Sequence, residues 1–260
     1  MTKPTFKKKT TVFYGLNKME EALAKIRPHT SSSLAHQKTP ATLLIAIEST
    51  LHEQKTDLSP TGYFAALLTT LDGTVQKKDI SLNDGDVLPA ELYLLALVVP
   101  FVPLPVVRNN LSTLLSLTAP LFPTLNQHAP ALRSQLSIYL TIFHSLDRPL
   151  LETQGIRQTF ASILQLSIDP RPKVRKKAAD LVKDVLDNPP APLARHPYSD
   201  QVAAWLISAL SEANAGPFAM AKPGAESSLH VLALLRPLLP NLPSSVRNYF
   251  TSFRIAGLSF

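Results

Sequence analysis

Apolar residues along the chain recur at helical spacing, and an alternating pattern persists nowhere. In APALRSQLSIYLTIFHSL (129–146), Leu132, Leu136, Tyr139, Leu140, Phe143 and Leu146 fall at i, i+4, i+7, i+8, i+11 and i+14, one stripe of an α-helix. The same spacing predicts helices over 17–26, 40–54, 60–72, 88–99, 104–118, 130–146, 154–167, 172–187, 198–213, 226–239 and 244–255. Prolines punctuate the series. Pro40, Pro60, Pro89, Pro105, Pro130, Pro172, Pro197 and Pro243 stand at predicted starts, where the missing N–H would have had no helical partner anyway.

A degenerate repeat runs through these helices. PVVRNNL (105–111), PALRSQL (130–136), PKVRKKA (172–178) and PSSVRNYF (243–250) share a proline, then an aliphatic residue and arginine, then an apolar residue three positions after the arginine, and GIRQTF (155–160) is a relative without the proline. Arg133 and Arg175 are 42 residues apart, within the period of two-helix HEAT or armadillo units. The expected fold is all-α, a right-handed α-solenoid of HEAT/armadillo-like repeats, with a generic helical bundle as the alternative. Residues 1–16 read as a basic flexible tail and 17–260 as a single helical-repeat domain. Polar or proline-rich stretches at 29–40, 76–89, 188–197 and 214–227 read as loops between repeats.

The segment DPRPKVRKKAADLVKDVL (169–186) resembles the second helix of a HEAT repeat, with Asp169 in the preceding turn, then Val174-Arg175, then Ala178. On a helical wheel Val174, Ala178, Leu181, Val182 and Val185 share one face. Asp169 and Arg175 then brace the repeat, with Asp169 the expected partner of Arg175. Arg171, Lys173, Lys176 and Lys177 are left to meet either solvent or phosphate. The solvated reading pairs Lys176 with Asp180 at i,i+4.

Charge sharpens the second possibility. The net +7 is concentrated in 1–38 and 129–183, whereas 39–128 is acidic and 184–260 is balanced. Two basic zones in a weakly polar scaffold suggest a polyanionic partner. Lys7, Lys8 and Lys9 form the second basic run, which is either a solubilising tail or a segment that lies along RNA, where counterion release rewards clustered lysines without a fold.

Other chemistry lacks its raw material. There is no cysteine, which excludes disulfides, thiolate metal sites and cysteine nucleophiles. No GxxxxGK[ST], GxGxxG or GxSxG occurs, and the seven histidines never take the spacings that gather two metal ligands on a helix. DISLNDGDVLPA (79–90) imitates a calcium loop but has Asp84 where glycine is needed and Ala90 where a bidentate glutamate is needed. No export signal is visible. The longest apolar run, Leu92–Val107, carries three prolines and is too short and broken to span a membrane. The aromatic residues Phe64, Tyr139, Phe143, Phe160 and Trp205 lie on apolar stripes, where core packing is expected. No enzyme, cofactor or metal is expected.

RPHTSSSLAHQKTPATLLIAIESTL (27–51), PTGYFAALLTTLD (60–72) and the segment from Leu132 to Leu186 together resemble the N-terminal region of the fungal ribosomal RNA-processing protein twelve family. The resemblance runs from about residue 27 to residue 255. It implies a longer HEAT-repeat ribosome-biogenesis factor of the nucleolus and nucleus, shuttling to the cytoplasm. Its implied partners are small-subunit precursor proteins and pre-rRNA, with Ran and nucleoporins during export. It supplies no catalytic motif. A karyopherin-like transport adaptor that binds only proteins is the competing expectation.

Overall fold

A computed structural model of the chain describes residues 17–77, 80–83, 85–215 and 222–248. Among these residues every regular element is helical and no strand occurs. In chain order the helices are α1 (17–24), α2 (Ala35–Glu53), α3 (Pro60–Val75), α4 (Val87–Val98), α5 (Leu104–Asn109), α6 (Leu111–Thr118) and α7 (Phe122–Leu125). They continue with α8 (Ala129–Ser145), α9 (Arg148–Leu151), α10 (Gln154–Leu166), α11 (Pro172–Asp187), α12 (Ser199–Ala215), α13 (Lys222–Leu238) and α14 (244–248). Each predicted segment is helical where it is described, apart from a residue or two at some ends and a break at Asn110.

The proline rule holds at most starts. Pro60 and Pro172 open α3 and α11, and Pro105 and Pro130 sit second in α5 and α8. Pro40 departs from it, because α2 begins five residues earlier, at Ala35, and carries Pro40 buried in its interior. The N–H groups of Gln37 and Lys38 both bond to the Leu34 carbonyl, so the first turn is already closed upstream of the proline. The predicted helix 104–118 is interrupted at Asn110, whose side-chain amide donates to the Val106 carbonyl at 2.9 Å. Such local side-chain bonds compete with the helical ladder.

The chain divides into two compact units, one ending at Ser145 and one beginning at Leu146. In the first unit α4 packs against α2, α3 and α8. Its Leu88, Leu92, Leu94, Leu95 and Val98 are buried, which accounts for the first half of the apolar run at 92–107. Pro100, Pro103 and Pro105 then break the run into a 3-10 turn and α5. Arg27 ties the start of this unit together, donating to Glu20 at 2.5 Å and to Glu48 at 2.8 Å, while the Tyr63 hydroxyl donates to the same Glu48 at 2.8 Å.

In the second unit α10 packs on α11, and α12 on α13. Phe160 and Tyr198 meet with ring centroids 4.4 Å apart, and the buried Tyr198 hydroxyl donates to the Leu151 carbonyl at 2.7 Å. Phe64, Tyr139, Phe143 and Phe160 are buried as the stripes require. Trp205 is only half-buried, and its indole N–H donates to Gln165 Oε1 at 3.2 Å in an exposed position. The α12 core positions are instead taken by Val202, Ala203 and Leu206, which leaves Trp205 beside the buried stripe rather than within it.

Candidate nucleic-acid interface

Helix α11 buries Val174, Ala178, Leu181, Val182, Val185 and Leu186, the face expected from its wheel together with the neighbouring Leu186. Burying side chains of this size contributes about 1.5–3 kcal/mol each, so packing on this face fixes which residues turn outward. Lys173 and Lys176 are exposed and Lys177 is half-buried.

The turn before α11 is organised differently from the expected Asp169–Arg175 ion pair. The Asp169 carboxylate accepts from the backbone N–H of Arg171 at 2.8 Å and from its guanidinium at 2.8 Å (Nε) and 2.7 Å (Nη2). Arg171 lies only two residues away, so one tight turn delivers its amide and its side chain to the same carboxylate. Arg175, one turn into the helix, instead donates through Nη1 to the main-chain oxygens of Asp169 at 2.7 Å and Pro170 at 3.2 Å. Arg171 holds the Asp169 carboxyl below its ordinary pKa, chiefly by these hydrogen bonds.

Other arginines of the repeat motif also reach main-chain carbonyls. Arg108 Nε donates to the Ser145 oxygen at 2.6 Å, and Arg133 Nε to the Ala129 oxygen at 3.3 Å. The Ser145 oxygen ends α8 and the Asp169 and Pro170 oxygens precede α11, where carbonyls lack ladder partners, whereas Ala129 opens α8 and its oxygen also faces its own helix.

Once Arg171 is tied to Asp169, an anion approaching it must compete with that pair. Lys173, Lys176 and Lys177 have no hydrogen-bond or ion-pair partner among the described residues, and Lys176 makes no pair with Asp180. The far half of α11 is compensated: Lys183 pairs with Asp187, and Asp187 also accepts from Asn241 at 2.6 Å. The helix thus carries cations at its N-terminal half and acids towards its C-terminus, the reverse of what its macrodipole favours. That reversal works against the isolated helix and creates a positive end where phosphate would meet both the lysines and the dipole.

No group of three or more His, Cys, Asp or Glu residues is placed to hold a metal among the described residues, and no described helix is long and apolar enough to cross a membrane. Asp79 and Asp84 of the calcium-like stretch lie outside the described residues. Glu91 is a buried acid that sequence reasoning passed over. It accepts from the Thr74 hydroxyl at 2.9 Å through one oxygen, while the other has no partner, and burial pushes its pKa up to about 7. The Thr74 hydroxyl and the Lys77 charge oppose that rise by favouring the ionised form.

A family model described as RRP12-like, N-terminal HEAT repeats, matches residues 16–252. The chain belongs to the RRP12-like family. It is 33% identical over 190 residues to Ribosomal RNA-processing protein 12 of Saccharomyces cerevisiae, a match covering 70% of this chain and 16% of that protein. It is 29% identical over 226 residues to the RRP12-like protein of Gallus gallus and 28% identical over 227 residues to that of Homo sapiens, each match covering 83% of this chain and 16% of the relative. The matched part therefore corresponds to about one-sixth of these relatives' length.

As an RRP12-like chain, the protein is an all-α helical-repeat solenoid, and the four residues expected from sequence to be its repeat signature lie in the α10–α11 turn and on α11. Asp169, Val174, Arg175 and Ala178 occupy one turn and one helix: Val174 and Ala178 are buried, and the other two close the turn. The basic strip shares α11 with this signature, on its solvent side. Lys7, Lys8 and Lys9 lie outside the described residues of this RRP12-like chain.

Proposed function

We propose that this chain is a repeat portion of a non-enzymatic scaffold in ribosome biogenesis, one that contacts pre-rRNA phosphates and proteins of the small-subunit precursor. The observation that carries the proposal is the N-terminal half of α11, where Lys173, Lys176 and Lys177 stand unpaired on a rigid, packed helix. The relatives' printed names, which concern ribosomal RNA processing, supply the RNA class. Arg171 is a secondary contact because it is engaged with Asp169, and Lys7, Lys8 and Lys9 supply a further polycationic segment. The two units act as parts of one repeat domain over 17–260, in the nucleolus and nucleus. Contacts with Ran and nucleoporins and shuttling during export belong to the same proposal.

Crosslinking within the native particle tests it. Peptides containing Lys173–Lys177 are expected to crosslink to RNA. If those peptides crosslink only to protein and the chain carries no RNA adducts, the proposal fails and a protein-only transport adaptor takes its place.

A further inference from the structure

Two Ser/Thr-Pro dipeptides occur in the chain, Thr39-Pro40 and Ser59-Pro60. The structure treats them oppositely. Thr39 lies inside α2, its hydroxyl donates to the Gly85 carbonyl at 2.8 Å, and Pro40 is buried. Ser59 ends the six-residue connection from Gln54 to Ser59; residues 52–58 are exposed, and Ser59 and Pro60 are half-buried at its end. The connection is anchored rather than loose. Lys55 adopts φ 52° beyond the end of α2, and the Thr56 N–H bonds back to the Leu51 carbonyl at 2.9 Å, a Schellman-type closure. Ser59 itself has φ −101° and ψ 159°, the extended backbone that proline imposes on its predecessor and that a substrate strand adopts in a kinase cleft. Its oxygen accepts from the Gly62 N–H at 3.1 Å, while its own hydroxyl proton has no acceptor among the described residues.

We propose that Ser59 is a phosphorylation site for a proline-directed protein kinase. The Ser59 oxygen attacks the γ-phosphorus of ATP, the new O–P bond forms as the bond to the β-phosphate oxygen breaks, ADP leaves, and the kinase's base takes the hydroxyl proton. The product places about two negative charges at the start of the sixteen-residue α3. The first-turn N–H of Gly62 faces that position, and the macrodipole favours an anion there. Asp57 nearby opposes the added charge, while Lys55 on the same connection offsets it. The modification therefore strengthens the start of α3 rather than unfolding it, and it sets a dianion beside Leu58, which is 51% exposed.

The test incubates the full chain with a proline-directed kinase and ATP and maps phosphate by mass spectrometry, beside the Ser59→Asn variant and a peptide of residues 52–66. Asn keeps an N-cap acceptor but has no hydroxyl, so this variant separates loss of the site from loss of the cap. The expected result is one phosphate on Ser59, none on Thr39, at least about tenfold lower incorporation in Ser59→Asn, and a Tm of the phosphorylated chain higher by about 2 °C. Three results overturn the proposal: equal incorporation in Ser59→Asn, an unmodified chain whether or not the peptide is modified, or a lowered Tm after phosphorylation.

Discussion

Asp169 and Arg171 form a two-residue clamp in which one carboxylate receives both the backbone N–H and the guanidinium of the same arginine, at 2.7–2.8 Å. The Asp169 side chain is 8% exposed and that of Arg171 33%, so the pair closes the α10–α11 turn from a position shielded from water on the acid's side. Because the folded state lowers the Asp169 pKa, it stabilises the ionised form. That contribution is present above the ordinary carboxylate pKa and disappears as pH falls through the lowered folded value. Asp169→Asn is expected to destabilise the chain by about 1–2 kcal/mol at pH 7. The difference from wild type should shrink as pH falls below about 4, which chemical denaturation across pH 2–7 measures.

Arg175 acts on the same turn through the main-chain oxygens of Asp169 and Pro170, and its charge also favours the ionised Asp169 carboxylate. Arg175→Met keeps the aliphatic stem and removes the donors, leaving the Asp169 and Pro170 carbonyls short of a partner. A loss of about 1–2 kcal/mol is expected. Because both changes fall on one turn and share Asp169, a double-mutant cycle with Asp169→Asn is expected to show a coupling of about 0.5 kcal/mol or more. Strict additivity would show instead that the Arg175 contacts act independently of the Asp169–Arg171 clamp.

Glu91 predicts the opposite pH dependence. Its carboxyl is buried between α3 and α4 with one oxygen unpartnered, and its folded pKa rises to about 7. The folded state therefore holds the proton more tightly than the unfolded chain. The resulting stability is full below about pH 4.5 and declines as pH rises towards 7, by on the order of 3 kcal/mol. Lys77, at the end of α3, moderates the effect by favouring the charged form. Glu91→Gln should flatten the wild-type decline between pH 5 and 8, and Tm recorded across that interval reads the change.

These residues mark what periodicity can and cannot reveal. The buried face of α11 was legible because Val174, Ala178, Leu181, Val182 and Val185 repeat at helical spacing, and burial follows from that spacing alone. The exchange of partners at Asp169 was not legible, because it depends on the turn placing Arg171's amide and guanidinium on one carboxylate while Arg175 reaches past it. Pro40 misled as a start because the Leu34 carbonyl closes the first turn upstream. Trp205 misled because a wheel ranks positions on one helix without showing how much of an edge position its neighbours cover. Glu91 sits in VLPAELYLLALV, where a single acid between leucines signals burial of the helix more clearly than it signals its own. The basic strip could be read as a set of charges, but not as unpaired ones until Lys176 and Asp180 proved to form no pair.

That unpaired state gives the RNA proposal its sharpest prediction. If Lys173, Lys176 and Lys177 each neutralise a phosphate, binding of the chain to a structured RNA must weaken with salt. Each lysine then contributes about −0.9 to the slope of log K against log[salt] on duplex and about −0.7 on a single strand. Replacing all three with glutamine is therefore expected to reduce the slope by about 2–3 and to weaken binding alike across unrelated sequences. The substitutions lie on the solvent side of α11 and relieve cations crowded at its positive end, so the folded chain should lose no stability and gain up to about 1 kcal/mol. That makes the outcome decisive. A variant that folds at least as well as wild type yet keeps its full salt dependence would place the RNA contacts elsewhere, whereas a flattened slope with intact folding assigns them to this helix.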